Sequence, residues 1–220
     1  MSTPSSAPLL QVQGLVKTYR RSRWSRETTF RLEADFAFDT PQIVGVMGAN
    51  GAGKTTLFEL ITGSNLPTGG RVLVAGRNIH QVRPTERDRL AMHYHQSYQV
   101  RDYRGLKPGF LLQRADSESP RVHLFDEPQF NAQDGYIGFM LEFFRRLRDR
   151  GCLVLVCLHP NEPLHIDILR DICERFVFVR RHQDQTSRLA SFEDLPTLAA
   201  DAAARQYLGA LAARAADRSP

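Results

Sequence analysis

The sequence predicts an α/β fold with a mainly parallel sheet, because short apolar strands alternate with helical segments along its 220 residues. Three nearly continuous apolar runs are typical of strands buried on both faces of such a sheet: "QIVGVMG", "RVHLFDE" and "CLVLVCLH". A glycine-rich loop stands directly after the first run and before a helical segment. The length suits one domain, or one domain with a small appendage.

The N-terminal part is predicted to be antiparallel. "LLQVQGLVKTYR" and "TTFRLEADFAF" are β-rich and alternate, which indicates two strands joined by the basic turn "RRSRWSRE". A helix is predicted from Lys54 to about Thr62, closed by Gly63. "GRVLVAGRNI" and "RLAMHYHQ" are predicted to be the next two strands, the second of which ends at Gln96.

The remaining segments continue the alternation. "GYIGFMLEFFRRLRDRG" has apolar residues at helical spacing and ends in arginines and Gly151, as helices often do. "RFVFVRRHQDQTSRLAS" indicates a closing hairpin, and "LPTLAADAAARQYLGALAARAAD" an Ala-rich C-terminal helix that is either peripheral or used for dimerisation. We predict a disordered stretch over residues 1–7, one domain over 8–196, and a helix with its tail over 197–220.

Composition narrows the class of protein without naming a function. The formal charge of +5 suits an anionic partner such as a nucleotide, a nucleic acid or a lipid surface, and does not choose among them. The three cysteines have neither disulfide nor zinc-site spacing, so we expect reduced thiols in a cytosolic protein. The N-terminus does not read as a signal peptide, and no apolar run approaches the roughly 20 residues of a membrane helix.

The glycine-rich loop fits the full phosphate-loop pattern G-x-x-x-x-G-K-[ST]. Its glycines let backbone N–H groups turn inward around an anion, and the following helix adds the positive end of its dipole. Lys54 is expected to reach the β- and γ-phosphates, and Thr55 to give its hydroxyl to Mg²⁺. The predicted nucleotide-binding residues of the loop are Gly48, Asn50, Gly51, Ala52, Gly53, Lys54, Thr55 and Thr56.

Two carboxylates stand at the end of the strand "RVHLFDE". Asp126 is placed where it can reach the Mg²⁺ shell, while Glu127 points differently and can orient and polarise a water for attack on the γ-phosphate. An acidic pair at a strand end is otherwise a solvated turn. The phosphate loop elsewhere in the sequence favours the catalytic interpretation.

Together these residues resemble an ABC-type ATPase, the nucleotide-binding domain of ATP-binding cassette transporters, over roughly residues 9 to 196. "KTTLFELITGSNLPTGGRVLVAGRNI" is similar to the family's segment after the phosphate loop, and "DEP" is the family's form of the Walker B end. The resemblance implies the P-loop NTPase fold of the ABC type, with ATP and Mg²⁺ as cofactors. It also implies that Lys54 and Glu127 are catalytic.

Four further roles come from the resemblance alone. Tyr19 would stack on adenine, Gln96 would serve Mg²⁺ and water as the Q-loop glutamine, and His159 would be a catalytic residue that senses the γ-phosphate. Asp134, in "FNAQD", would be the acidic residue of the D-loop. Alternatives remain: Tyr19 could only pack the hairpin, and Gln99 competes with Gln96.

Two nearby histidines suggest a metal only weakly. His93 and His95 share one strand face, but no third ligand stands at a recognisable spacing.

The sequence departs from the family between Gln96 and Asp126, where only about thirty residues stand. The family fits a whole helical subdomain there, ending in the signature motif L-S-G-G-Q. That motif is absent, and "DYRGL" at 102–106 stands in its place on one possible register, so we expect a reduced helical subdomain. Since the family sandwiches ATP between one chain's phosphate loop and another chain's signature motif, slow turnover of the homomer is implied.

The resemblance leads to one principal hypothesis and one alternative. The first is an ATP-binding subunit of an ABC transport system, cytoplasmic and peripheral on the inner face of the cell membrane. It would attach to a membrane-embedded permease and dimerise through a nucleotide sandwich, either with a second copy of itself or with a different cassette subunit. The alternative is a non-transport nucleotide switch with weak hydrolysis that controls assembly with partner proteins. Nucleic acid is an unlikely partner, because a solvated hairpin turn explains the arginines around Trp24.

Overall fold

The computed structural model describes residues 7–22, 25, 27–94, 120–128 and 136–217. These residues form one sheet flanked by helices. The strands are β1 Leu10–Arg20, β2 Thr28–Phe38, β3 Ile43–Met47, β4 Gly69–Val74, β5 Arg77–Asn78, β6 Ala91–Tyr94, β7 Val122–Asp126, β8 Leu153–Cys157, β9 Arg175–Arg181 and β10 Thr186–Phe192. The helices are α1 Lys54–Thr62, α2 Pro84–Leu90, α3 Tyr136–Asp149, α4 Pro163–Ile172, α5 Leu195–Ala200, α6 Ala202–Leu208 and α7 Ala212–Ala216.

The sheet has ten strands in the order β5-β4-β1-β2-β10-β9-β3-β8-β7-β6. Strands β9, β3, β8, β7 and β6 are parallel neighbours, whereas β5, β4, β1 and β2 are antiparallel. The hairpin β9–β10 joins the two parts, because β10 pairs parallel to β2 and antiparallel to β9. The α/β prediction, with an antiparallel N-terminal part, is confirmed.

Both faces of the central strands are buried, which accounts for their continuous apolar sequences. In β3, Val44 and Val46 join the core on one face with Leu57 of α1. Ile43 and Met47 point to the other face, where helices α3, α4 and the C-terminal helices cover the sheet. The alternation follows from the two-residue period of a strand.

The prediction of a single Ala-rich helix in the C-terminal segment is wrong. The segment forms α5, α6, a 3₁₀ turn at Gly209–Leu211 and α7. The break after α5 is made by Asp201, which is extended and whose carboxylate caps α6 through the N–H groups of Ala203 and Ala204. The segment packs on the core, with Leu198 and Leu208 buried.

Two helices were not predicted. The strand predicted in "RLAMHYHQ" begins only at Ala91, because Pro84–Leu90 is helical. No element was predicted over α4, although Ile166, Leu169 and Ile172 recur at helical spacing on its buried face.

The described helices include none with the length and apolar composition of a membrane span. The three cysteines are free thiols; Cys152 and Cys157 are buried and Cys173 is half-buried. Several predictions fall outside the described residues: those on residues 1–6, Trp24, Gln96, Gln99, the "DYRGL" stretch and Asp134.

Candidate functional site

The predicted site residues gather at the carboxyl edge of the parallel strands. The glycine-rich loop follows β3, Asp126 ends β7, His159 lies just beyond β8, and Arg181 ends β9. Because β9, β3, β8 and β7 are adjacent and parallel, their carboxyl ends meet on one side of the sheet. Open α/β sheets bind ligands at this edge.

Two glycines of the loop allow approaches that a side chain would block. Gly48 has a φ of 151°, and a Cβ there would lie 2.5 Å from the carbonyl oxygen of Val179 on β9. Gly53 caps α1 with a φ of 100°, and a Cβ there would lie 2.5 Å from Cζ of Phe30. The loop is therefore pressed against its neighbours on both sides and needs glycine at both positions.

Lys54 is buried inside the loop at 6% exposure. Its Nζ donates hydrogen bonds to the carbonyl oxygens of Gly48 at 2.7 Å and Ala49 at 3.1 Å. A buried ammonium needs such partners, because removing the charge from water is costly. These contacts place the positive charge at the base of the loop, where a phosphate oxygen held by the loop would meet it.

The Thr55 hydroxyl donates a hydrogen bond to Asp126 Oδ2 at 2.8 Å, across 71 residues of sequence. Burial alone would raise the pKa of Asp126, but hydrogen bonds from His93 and Thr55 outweigh it, so the pKa lies below its usual value. His93 Nε2 lies 3.5 Å from Asp126 Oδ2. Asp126 therefore stays ionised beside a hydroxyl oxygen, and hard oxygen donors of this kind suit Mg²⁺.

Glu127 follows in a left-handed backbone conformation, with a φ of 49°. Its N–H donates to the carbonyl oxygen of Cys157 on β8 at 3.0 Å, and this bond holds the turn. Non-glycine residues in this region carry strain of the order of 1 kcal/mol and are enriched at functional sites. The turn directs Glu127 into the cleft described next, away from Asp126 in the strand.

The loop opens onto a cleft of about 380 Å³. Its lining residues come from the loop and α1, from the end of β7, and from strands β2 and β9: Phe30, Asn50, Gly51, Gly53, Lys54, Thr55, Thr56, Glu127 and Arg181. Most of the lining is polar and includes two cations, so the cleft is suited to a small anionic ligand.

Phe30 and Arg181 were not predicted to belong to the site. The Arg181 guanidinium donates from Nη1 to the carbonyl oxygen of Gly51 at 2.9 Å, and it also bonds the side-chain oxygen of Gln185. It lies over the Phe30 ring, with 5.5 Å between Cζ and the ring centroid. The pair places a cation and an aromatic ring in the lining of the cleft, which also includes Glu127.

Comparisons with known proteins point to one family. Residues 33–107 match the family model described as ABC transporter. The ribose import ATP-binding protein RbsA of Pseudomonas putida is 25% identical over 81% of this chain and 43% of its own length. The lipopolysaccharide export system ATP-binding protein LptB of Acidithiobacillus ferridurans is 36% identical over 39% of this chain and 33% of its own length. The chain thus spans less than half the length of these curated relatives.

Solved structures agree on the fold. A nucleotide-free ATP-binding cassette from an ABC transporter matches with a TM-score of 0.64 at 13% identity, over 91% of this chain and 98% of its own. A dimeric ATP-binding cassette in a post-hydrolysis state, bound to ADP and Pi, matches with a TM-score of 0.58 at 17% identity, over 82% and 97%. The family model, the relatives and these structures together support an ABC-type nucleotide-binding domain.

Tyr19 lies next to Phe30, which belongs to the cleft lining. The two residues are cross-strand partners on β1 and β2, with ring centroids 6.0 Å apart. The Tyr19 hydroxyl accepts a hydrogen bond from Asn65 Nδ2 at 2.7 Å, and Lys17 Nζ lies 5.0 Å from its ring centroid. The role of Tyr19 in adenine stacking stays a prediction, with Phe30 as a second aromatic at the same place.

Two loop residues predicted to bind nucleotide are not among the residues that line the cleft. The Ala52 side chain is buried in the core, and its N–H donates to the carbonyl oxygen of Ala49 at 3.1 Å. Gly48 lies at the base of the loop, where its carbonyl accepts the Lys54 bond. Their contribution to phosphate binding stays a prediction.

His159, the predicted γ-phosphate sensor, makes a contact that no sequence pattern indicated. Its Nδ1 lies 2.8 Å from the hydroxyl of Tyr207, a residue of helix α6. The two rings meet edge to face, with centroids 5.5 Å apart. The other two predicted members, Gln96 and Asp134, lie outside the described residues.

Proposed function

We propose that this chain is the ATP-binding subunit of an ABC transport system and hydrolyses ATP with Mg²⁺. The observation that carries the proposal is the 2.8 Å hydrogen bond between Thr55 of the phosphate loop and Asp126 at the end of β7. It joins the two motifs that a phosphate loop protein uses to hold Mg²⁺. The names of the relatives, which include importers and exporters, support transport as the setting.

The phosphates would be held by the loop N–H groups, the positive end of α1 and the Lys54 ammonium. Thr55 and Asp126 would hold Mg²⁺, together with the predicted Gln96. A bound Mg²⁺ would neutralise phosphate charge in the cleft. The donor set is a hydroxyl and an ionised carboxylate, which fits a small, hard cation.

Hydrolysis would require a water placed for attack on the γ-phosphate. Glu127, which lines the cleft, is the residue proposed to orient this water and accept its proton. His159 would donate a hydrogen bond to the γ-phosphate. Because the sequence lacks the signature motif that completes the cage in a dimer, we propose that the homomer turns over slowly.

Two partners are proposed for this chain. ATP hydrolysis would drive a membrane-embedded permease, and a different cassette subunit would supply the signature motif that this sequence lacks. The chain would then lie in the cytoplasm, peripheral on the inner face of the cell membrane. Nucleic acid is not proposed as a partner, because two of the arginines in and after the basic N-terminal turn form ion pairs. Arg21 pairs with Glu27, and Arg31 pairs with Glu33.

Steady-state ATP hydrolysis, measured for the pure chain and for the chain co-purified with its subunits, tests the proposal. We expect slow Mg²⁺-dependent hydrolysis by the pure chain and faster hydrolysis in the assembly. Glu127→Gln should lower the rate by about 100-fold or more while MgATP still binds, because only the base is lost. Rapid hydrolysis by the pure homomer, abolished by Glu127→Gln, would contradict the proposal that the homomer turns over slowly.

A second candidate is a nucleotide switch without transport, which binds ATP to change partners and hydrolyses little. The short stretch between Gln96 and Asp126 favours it, because the family's contact with a permease uses the helical subdomain expected there. Affinity purification from membranes separates the two candidates. Recovery of a membrane-embedded subunit supports transport, and recovery of only water-soluble partners supports the switch.

A further inference from the structure

The C-terminal segment reaches the edge of the sheet where the phosphate loop lies. Tyr207 on α6 is half-buried, with its ring against Phe178 of β9 at a centroid distance of 5.5 Å. Its hydroxyl lies 2.8 Å from Nδ1 of His159. A residue far along the chain is thus bonded directly to the histidine proposed to contact the γ-phosphate.

The chemistry of the two groups favours one direction for this bond. Burial raises the pKa of the Tyr207 hydroxyl, and a backbone hydrogen bond from Gly48 acts in the opposite direction. The phenol is therefore protonated at neutral pH. A protonated phenol is a hydrogen-bond donor, and an unprotonated ring nitrogen of histidine is an acceptor, so the O–H of Tyr207 can donate to Nδ1 of His159.

We propose that Tyr207 is a positioning residue for His159. Its O–H donates to Nδ1, so the neutral imidazole carries its proton on Nε2. The hydrogen bond at one ring nitrogen sets which tautomer is present and how the ring is oriented. Nε2–H is then the ring donor left available for an anionic phosphate oxygen. The inference rests on the proposed ATP site, in which His159 is a hydrogen-bond donor to the γ-phosphate and Tyr207 orients that donor.

The position of Tyr207 is itself determined by the packing of α6. Ala204 and Leu208, on either side of it along the helix, are buried in the same core cluster as residues of α3 and α4. Asp201 caps the start of α6 and lies 3.4 Å from the Arg180 guanidinium of β9. The helix is anchored at its beginning and along one face, so the hydroxyl is held against His159.

The first test is the tautomer of His159, read by ¹⁵N NMR of histidine-labelled full-length chain, with the signals of this residue assigned from His159→Gln. In the wild type we expect Nε2 protonated and Nδ1 unprotonated. In Tyr207→Phe, which keeps the ring and removes only the hydroxyl, we expect signals averaged between the two tautomers. Nδ1 protonated in the wild type would overturn the proposal. This reading needs neither ATP nor hydrolysis.

The chain contains a matched control. The hydroxyl of Tyr94 lies 3.0 Å from Nδ1 of His123, so Tyr94→Phe removes the same kind of bond in another part of the sheet. It should change the signals of His123 and leave those of His159 as they are. A change at His159 in both variants would point to a general loosening of the sheet and would contradict a specific role for Tyr207.

The second test is single-turnover hydrolysis by the assembly. Tyr207→Phe should lower the rate constant about three- to thirtyfold with the ATP concentration for half-saturation changed less than about twofold, because an orienting contact is lost and not a binding one. Tyr94→Phe should leave the rate constant unchanged. An unchanged rate in Tyr207→Phe would overturn the positioning role. A wild type without hydrolysis would contradict the proposed function, and the NMR result would still decide the tautomer.

Discussion

At the scale of single residues, the Thr55 hydroxyl and the Asp126 carboxylate define the centre of the site. Their hydrogen bond of 2.8 Å places two oxygen donors from different motifs within reach of one cation. The lowered pKa of Asp126 keeps the carboxylate charged in a place where only a small part of it meets solvent. A charged, buried carboxylate is stabilised by its donors, and these donors are the groups that a metal ion would join or displace.

Arg181 gives a prediction that sequence patterns did not supply. Arg181→Ala should weaken ATP binding about three- to tenfold, because the variant loses a cation on the cleft wall and the bond that steadies Gly51. The measurement is a titration of ATP in Mg²⁺ by calorimetry. The expected loss is modest, since the phosphates keep Lys54 and the loop N–H groups.

Arg175→Ala is the matched control for this prediction. Arg175 is exposed at the opposite end of the same strand, so the variant changes the net charge equally and leaves the cleft untouched. Equal affinities of the two variants would show that only long-range charge matters, and unchanged affinity in Arg181→Ala would remove Arg181 from the site.

The sequence predicted the part of the site that depends on local spacing. The phosphate loop and the acidic pair are each contiguous in the sequence. The predicted strand before the loop and the predicted helix after it support its assignment as a phosphate loop. Phe30, Arg181 and Tyr207 are each brought in by tertiary packing. One feature could have indicated Phe30 as a site residue, because it lies opposite Tyr19, the predicted adenine-stacking residue, in the β1–β2 pair. Nothing local distinguished Tyr207 within an Ala-rich stretch.

At the scale of elements, the strands and helix α1 were easier to predict than the short helices. Helix α1 runs from Lys54 to Thr62 as predicted, since the loop fixes its start and Gly63 its end. Helix α2 has seven residues, of which only Leu90 is buried, so it carries no apolar stripe for a pattern to detect. The C-terminal segment is divided into short helices at two single residues. Asp201 caps the start of α6, and Gly209, with a φ of 54°, ends it.

Strand β7 carries a titratable group that should make stability depend on pH. His123 is buried in this strand, and burial lowers its pKa to about 4 from 6.5. Below pH 6.5 the unfolded chain takes up a proton that the folded chain does not, so the free energy of unfolding should fall as the pH falls towards 4. At pH 4.5 this one group should cost about 2 to 3 kcal/mol relative to neutral pH.

Urea unfolding of the wild type and of His123→Gln at pH 7 and pH 4.5 checks this. The variant should lose less stability between the two values, by about 2 to 3 kcal/mol, because it has no group to titrate at that position. The carboxylates that titrate in the same range are common to both proteins and cancel in the difference. Parallel losses in the two proteins would mean that His123 does not titrate differently on folding.

At the scale of the whole molecule, the site draws on three parts of the fold. The parallel strands supply the phosphate loop, Asp126 and Glu127, the antiparallel part supplies Phe30, and the C-terminal segment supplies Tyr207 behind His159. Each part is packed onto the same ten-stranded sheet. A ligand held at the edge of the sheet is therefore expected to stabilise the folded chain as a unit, by mass action.

The most direct test of the central claim is the affinity of the chain for ATP with Mg²⁺ and with excess EDTA, measured by calorimetry for the wild type and for Asp126→Asn. We predict that Mg²⁺ tightens binding to the wild type by about tenfold or more, because Thr55 and Asp126 hold the ion against the phosphates. Asp126→Asn, which keeps the shape and removes the charge, should lose most of that gain. ATP affinity that is the same with and without Mg²⁺, or a full Mg²⁺ effect in Asp126→Asn, would contradict the account.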